Sequence, residues 1–185
     1  VPIRGMAYDP WPSDAAQGAP HFAYSTTDFF HAEFDALWGG GRADNADNGR
    51  HDLLTMANMG VNFVRLYGWD PTRFDHTPFL EEAAARDISV AVPLTNEIFE
   101  CLRDRTYTCQ GGFDAKTLIV AMVREAHRHA CNVPLYTFGN QIELLVKNPQ
   151  EKPTVESAAQ LVAPLEVAAR MLIEAEDAMG WPQHT

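Results

Sequence analysis

Four short apolar runs, each followed by a stretch of helical character, constrain this chain more than any other feature. The runs are Ile3–Tyr8 (IRGMAY), Val61–Trp69 (VNFVRLYGW), Ile88–Leu94 (ISVAVPL) and Val133–Asn140 (VPLYTFGN). After the first comes GRHDLLTMANMG, with Leu53, Leu54, Met56, Ala57 and Met59 apolar and Gly60 as a helix stop. After the second comes PFLEEAAARDI, a short amphipathic helix with Pro78 near its first turn. Asp114 caps a helix to Ala130, and a long helix capped by Thr154 runs to a stop at Gly180, kinked or restarted at Pro164. Apolar strands alternating with helices bury both sheet faces, which requires a parallel sheet with crossover helices. Two α/β architectures satisfy this: an open doubly wound sheet and a closed (β/α)8 TIM barrel. The first strand leads into RGMAYDPWPSD, whose single glycine and two prolines cannot cradle a pyrophosphate at a helix N-terminus. That weighs against a dinucleotide-binding fold. The segment from Asp9 to about Asn48 is too long for a plain connection and reads as an inserted loop holding a helical turn or two near Thr27 or Asp28.

The chain has 185 residues, enough for one domain with a sizeable core. Its net charge of −11 argues against a nucleic-acid or anionic-membrane partner, either of which selects a basic face. A neutral partner such as a sugar fits better. No apolar run approaches the roughly 18–20 residues that span a bilayer. No signal peptide is visible, and the opening at Val1 suggests a processed or trimmed N-terminus. Cys101 and Cys109 flank a short polar loop that a disulfide can close, or all three cysteines stay reduced; pairing the first two leaves Cys131 over. No Asn-x-Ser/Thr sequon occurs.

The motifs IRGMAYDP, MGVNFVRLYGWDPTRFDHTPFLEEAAARDISVAVPL and YTFGNQI, in that order, resemble the β-1,3-glucanosyltransferases of glycoside hydrolase family 72, and more broadly the clan of retaining glycosidase barrels. The similarity runs from Ile3 to about Ile142. It implies a (β/α)8 barrel with the site at the C-terminal ends of the strands. Such a barrel takes ~250 residues, so residues 1–185 read as its first four βα units, completed by further sequence in the same or a second chain. The nucleophile strand of the family has no counterpart here.

Retaining cleavage needs two carboxyl groups about 5–5.5 Å apart, one as nucleophile and one as acid/base. By the resemblance the acid/base position is Gln141, whose amide can hydrogen-bond a glycosidic oxygen but has no proton to give. The Gln reflects either an engineered change or a natural loss. Asn140 would bind a sugar hydroxyl, Arg65 would hold a carboxylate, Tyr67 would contact the sugar or the nucleophile and Tyr8 would line the cleft floor. Arg65 and Tyr67 alternate along a strand and so share a side. Trp69, Trp11 and Trp38 sit in loops where an aromatic face can stack on a sugar. Glu143 shares a side with Gln141 if the strand continues, as a displaced acid, or else sits on the loop above; Asn96 with Glu97 is a second Asn-Glu pair, Glu97 being read as a cleft-lining or structural residue.

No cofactor is implied. His127, His129 and Cys131 fit no usual zinc spacing, and RADNADNGR lacks the twelfth-position Glu of a calcium loop, so no metal is expected. The expected function is retaining cleavage or transfer of β-glucan, with a catalytically silent carbohydrate-binding or wall-structural protein as the alternative. Both place the protein in the secreted or cell-wall space.

Overall fold

The computed structural model describes residues 2–8, 51–72, 75–105, 109, 114–129, 131–140 and 155–180. The chain order is β1 (Gly5–Ala7), α1 (Asp52–Asn58), β2 (Phe63–Arg65), α2 (Thr77–Ala84), β3 (Ser89–Leu94), α3 (Asn96–Arg103), α4 (Ala115–Arg128), β4 (Leu135–Phe138) and α5 (Val155–Ala178). The expected inserted loop, Trp11, Trp38, Gln141, Glu143 and the cap at Thr154 lie outside the described residues.

The four strands form one sheet in the order β1-β2-β3-β4, and every neighbouring pair is parallel. Spatial order therefore follows chain order. A doubly wound sheet reverses direction at a switch point, and no reversal occurs among these strands. The result is a mixed α/β fold in which a parallel sheet alternates with helices. Val64, Val90, Ala91, Val92 and Leu94 are fully buried on the central strands, as a sheet covered on both faces requires. The core continues into the helices through Leu53, Phe79, Leu80, Ile98, Ile119 and Met122.

Two helix ends show how the chain turns back into the sheet. After α1, the Gly60 amide donates to Ala57 O at 2.9 Å and the Val61 amide to Met56 O at 2.9 Å. This is a Schellman closure, and it puts Gly60 at φ 81°. The positive φ is what selects glycine here, since a Cβ would meet only the movable tip of Arg4 at 2.9 Å. After α2 the same pattern recurs, with Asp87 to Ala84 O and Ile88 to Ala83 O, and Asp87 takes the left-handed conformation at φ 56°. In both cases the next strand starts within three residues.

Asp114 caps α4 as expected, its carboxylate accepting from the Lys116 amide at 3.1 Å. The expected restart at Pro164 does not occur: α5 is one helix of 24 residues that passes through it and ends before Gly180 at φ 70°. Pro164 and Ala168 are buried on that helix. Packing of α5 against α3 and α4 holds it together where local propensity would break it. Helix α3 itself is not anticipated by the sequence reading. Its signals are short but present: Glu97 in the first turn, Arg103 in the last, and Ile98, Phe99 and Leu102 on the buried face. Cys101 and Cys109 form a disulfide that ties the end of α3 to the following loop, and Cys131 is free and exposed.

Candidate functional site

Three strands deliver polar side chains to the C-terminal edge of the sheet. Arg65 is the last residue of β2. Its Nη2 donates to Gly139 O at 3.1 Å and to Asn140 Oδ1 at 3.2 Å, just past the end of β4. Asn96 opens α3 immediately after β3 and makes a reciprocal pair with Asn140. Asn96 Nδ2 donates to Asn140 O at 2.8 Å, and the Asn140 amide donates to Asn96 Oδ1 at 2.8 Å. The Gly139 amide extends the ladder to Leu94 O at 2.8 Å, and Gly139 then turns the chain at φ 62°. Only a residue tolerant of the left-handed region brings Asn140 round to face Asn96.

This network fixes the amide of Asn140. Its Oδ1 accepts from a permanently charged guanidinium, which assigns the oxygen and leaves Nδ2 as the outward donor. Among the described residues that Nδ2 makes no hydrogen bond. Among the described residues the network therefore leaves one oriented amide donor, Asn140 Nδ2, unused at the strand ends. Holding such a donor in place before binding removes the entropy of ordering it. The Arg65 guanidinium also lies 5.0 Å from the centre of the Tyr67 ring, a cation–π contact that steadies both half-buried side chains. Glu97 follows Asn96 in the first turn of α3, where the helix dipole favours a carboxylate.

Two of the expected site residues sit apart from this network. Tyr8 is buried at 8 % exposure, and its hydroxyl donates to Asp52 Oδ2 at 2.9 Å, linking β1 to the start of α1. Its backbone joins the sheet through Arg65 O at 2.9 Å. Trp69 is buried at 3 % exposure and turns toward α4. Its indole stacks on His76 with ring centres 3.8 Å apart and donates from Nε1 to Glu125 Oε2 at 2.9 Å. Glu125 also accepts from the His76 amide at 2.9 Å and faces His76 Nδ1 at 2.8 Å. His76 is fully buried. The structure thus brings together Arg65, Tyr67, Asn96 and Asn140, with no contact shown between them and the Glu97 side chain, while Trp69 belongs to a second, inner cluster.

The sequence reading did not single out that second cluster. One signal was available. The buried face of α4 carries Leu118, Ile119, Met122, Val123 and Ala126, and Glu125 falls on it. A carboxylate on an apolar helix face has to find donors, because burying it unpaired is too costly.

Outside the two clusters, Asp75 titrates below the ordinary carboxylate range. The Thr77 hydroxyl and amide both donate to it, and the charges of His76 and Arg128 act in the same direction. Among the described residues, no group of three or more His, Cys, Asp and Glu side chains is placed to hold a metal ion. No helix among the described residues is long and apolar enough to cross a membrane. Compared with family models, curated proteins and solved structures, the chain has no match in any of the three.

Proposed function

We propose that this chain is part of a (β/α)8-type glycan-active frame that recognises β-1,3-glucan at the C-terminal edge of its sheet. The observation that carries the reading is Asn140, clamped by Arg65 and Asn96 so that its amide N–H is held ready for a sugar hydroxyl. The sequential parallel sheet is compatible with the first βα units of such a barrel. Tyr67, under the Arg65 guanidinium, supplies a further contact beside it. The disulfide between Cys101 and Cys109 suits an oxidising, extracellular setting such as a cell wall.

Gln141 follows Asn140 directly and occupies the position where the resembled enzymes carry their acid/base Glu. An amide at that point can bind the glycosidic oxygen but cannot protonate it. This favours a second reading, in which the protein retains glucan without cleaving it. The test is calorimetric titration with laminarin-type oligosaccharides, using the wild type, Asn140→Ala and Gln141→Glu. We expect wild-type binding, at least a tenfold loss in Asn140→Ala, and reducing-end release only in Gln141→Glu when the remaining barrel is present. Absence of any heat or melting shift with β-1,3-gluco-oligosaccharides overturns the glucan reading. Hydrolysis by the wild type overturns the silent one.

A further inference from the structure

Helix α3 carries one half of the Asn96–Asn140 clamp and is too short to hold itself. It has eight residues, and isolated helices below about 12–15 residues are marginal in water. Its first residue, Asn96, is bonded to the Asn140 backbone through both atoms of its side-chain amide. The helix therefore depends on its anchors. Ile98, Phe99 and Leu102 are buried. The Phe99 ring meets the Phe138 ring at the end of β4, with centres 6.2 Å apart. Near the other end of α3, the disulfide joins Cys101 to Cys109. Cys109 lies beyond the helix and belongs to the core, at 4 % exposure. The bridge thus ties the last turn of α3 to a fixed point in the interior.

A reduced Cys101 has a partner waiting. Its Sγ lies 2.8 Å from Glu97 O, one turn back on the same helix. In the disulfide that sulfur has no hydrogen to give, but as a thiol it donates to this carbonyl. Reduction exchanges a tie to the core for a bond within the helix. Cys101 and Asn96 are five residues apart on one two-turn helix. Helix formation is cooperative, so loosening the last turn of so short an element loosens its first turn as well.

We propose that the Cys101–Cys109 pair is a redox switch on the Asn96–Asn140 clamp. The disulfide holds the Asn140 amide set for a ligand, and the two thiols release it. The reductant is a dithiol. One of its thiolates attacks a sulfur of the bridge and breaks the S–S bond, and its second thiol resolves the mixed disulfide. Two electrons and two protons pass to the protein. Cys101 and Cys109 become thiols, and the reductant leaves as its own disulfide. Cys131, exposed and free, takes no part. The switch rests on the glucan reading for its ligand alone.

The experiment compares amide hydrogen exchange in the intact oxidised protein and in the same protein under dithiothreitol without denaturant, with a thiol count alongside. The count should rise from one to three. The Asn140 amide, which donates to Asn96 Oδ1, should then exchange at least about fivefold faster. The Gly139 amide, which donates to Leu94 O beside β3, should keep its rate. That contrast separates release of the clamp from general loosening. Cys101→Ser with Cys109→Ser should match the reduced wild type and ignore dithiothreitol, and the wild-type comparison stands by itself where this variant folds poorly. Calorimetry with laminarin-type oligosaccharides should show binding at least about fivefold weaker after reduction. A count that stays at one, an unchanged Asn140 rate, or equal acceleration of Gly139 overturns the proposal. So does glucan binding of equal strength in the two states. Faster Asn140 exchange with no binding in either state supports the switch and overturns only the glucan reading.

Discussion

Replacing Glu125 by alanine removes one acceptor group from three donors at once: Trp69 Nε1, the His76 amide and His76 Nδ1. All three sit where His76 is fully buried and Trp69 is 3 % exposed. Each buried donor left without an acceptor costs about 1–3 kcal/mol. The cavity bordering Glu125 admits water, which satisfies part of that loss. The expected destabilisation is therefore about 3–5 kcal/mol, the range for breaking a buried pair by removing one partner. For a chain of this length that is a fall in Tm of about 6–20 °C. Glu125→Gln keeps one acceptor oxygen, and the imidazole can change tautomer so that Nδ1 accepts from the new amide. It should cost about 1–2 kcal/mol. Urea unfolding followed by tryptophan fluorescence and by circular dichroism measures both. Trp69→Phe provides the internal control. In the Glu125→Ala background it should cost about 1–2 kcal/mol less than in wild type, because the stranded indole donor is removed as well. A Glu125→Ala protein that melts within 2 °C of wild type, or strictly additive costs in the double variant, refutes this account (both thresholds are about the limit of the method).

Three further outcomes follow from single features. The Tyr136 hydroxyl is buried with no hydrogen-bond partner among the described residues, and burial followed by the charge of Glu176 pushes its pKa up. Tyr136→Phe should therefore be neutral or stabilising by up to about 1 kcal/mol. The folded state holds the phenol proton more tightly than the unfolded chain does, so this group's contribution is complete below about pH 10 and lost as pH rises above it. Urea titrations at pH 8 and 11 should show a steeper loss in wild type than in Tyr136→Phe. Gly139→Ala forces an alanine into φ 62°, costing about 1–2 kcal/mol, and should weaken glucan binding by displacing Asn140. Calorimetry together with melting separates the two effects. The disulfide from Cys101 to Cys109 closes a loop of sequence separation 8. Serine at both positions should lower stability by about 2.5 kcal/mol on the chain-entropy account, read from urea unfolding with midpoint and slope fitted together.

The two clusters divide the work of the segment after β2. At its start, Arg65 bonds the end of β4 and lies over the ring of Tyr67. A few residues on, Trp69 and His76 dock on Glu125 of α4. The segment is thus anchored to the strand edge at one end and to the helical layer at the other. Trp69 therefore serves as a packing element rather than as a face offered at the strand edge.

Local pattern in the sequence was enough for the repeat itself. Continuous apolar runs, glycine stops at Gly60 and Gly180 and the cap at Asp114 each act over a few residues, so the strands and most of the helices can be read directly. The same locality placed Arg65 and Tyr67 on one side of a strand and paired Cys101 with Cys109 as an option. Of the kink or restart read at Pro164, the restart does not occur, because packing against α3 and α4 carries α5 through a residue that disfavours helix. Local pattern also passed over α3, which has only two turns and is held by the contacts of Ile98, Phe99 and Leu102. The meeting of Arg65 with Asn140, 75 residues apart, and of His76 with Glu125, 49 apart, was decided only in three dimensions. A hydrogen bond between distant residues leaves no period in the chain. It exists because the parallel sheet sets the ends of β2, β3 and β4 side by side.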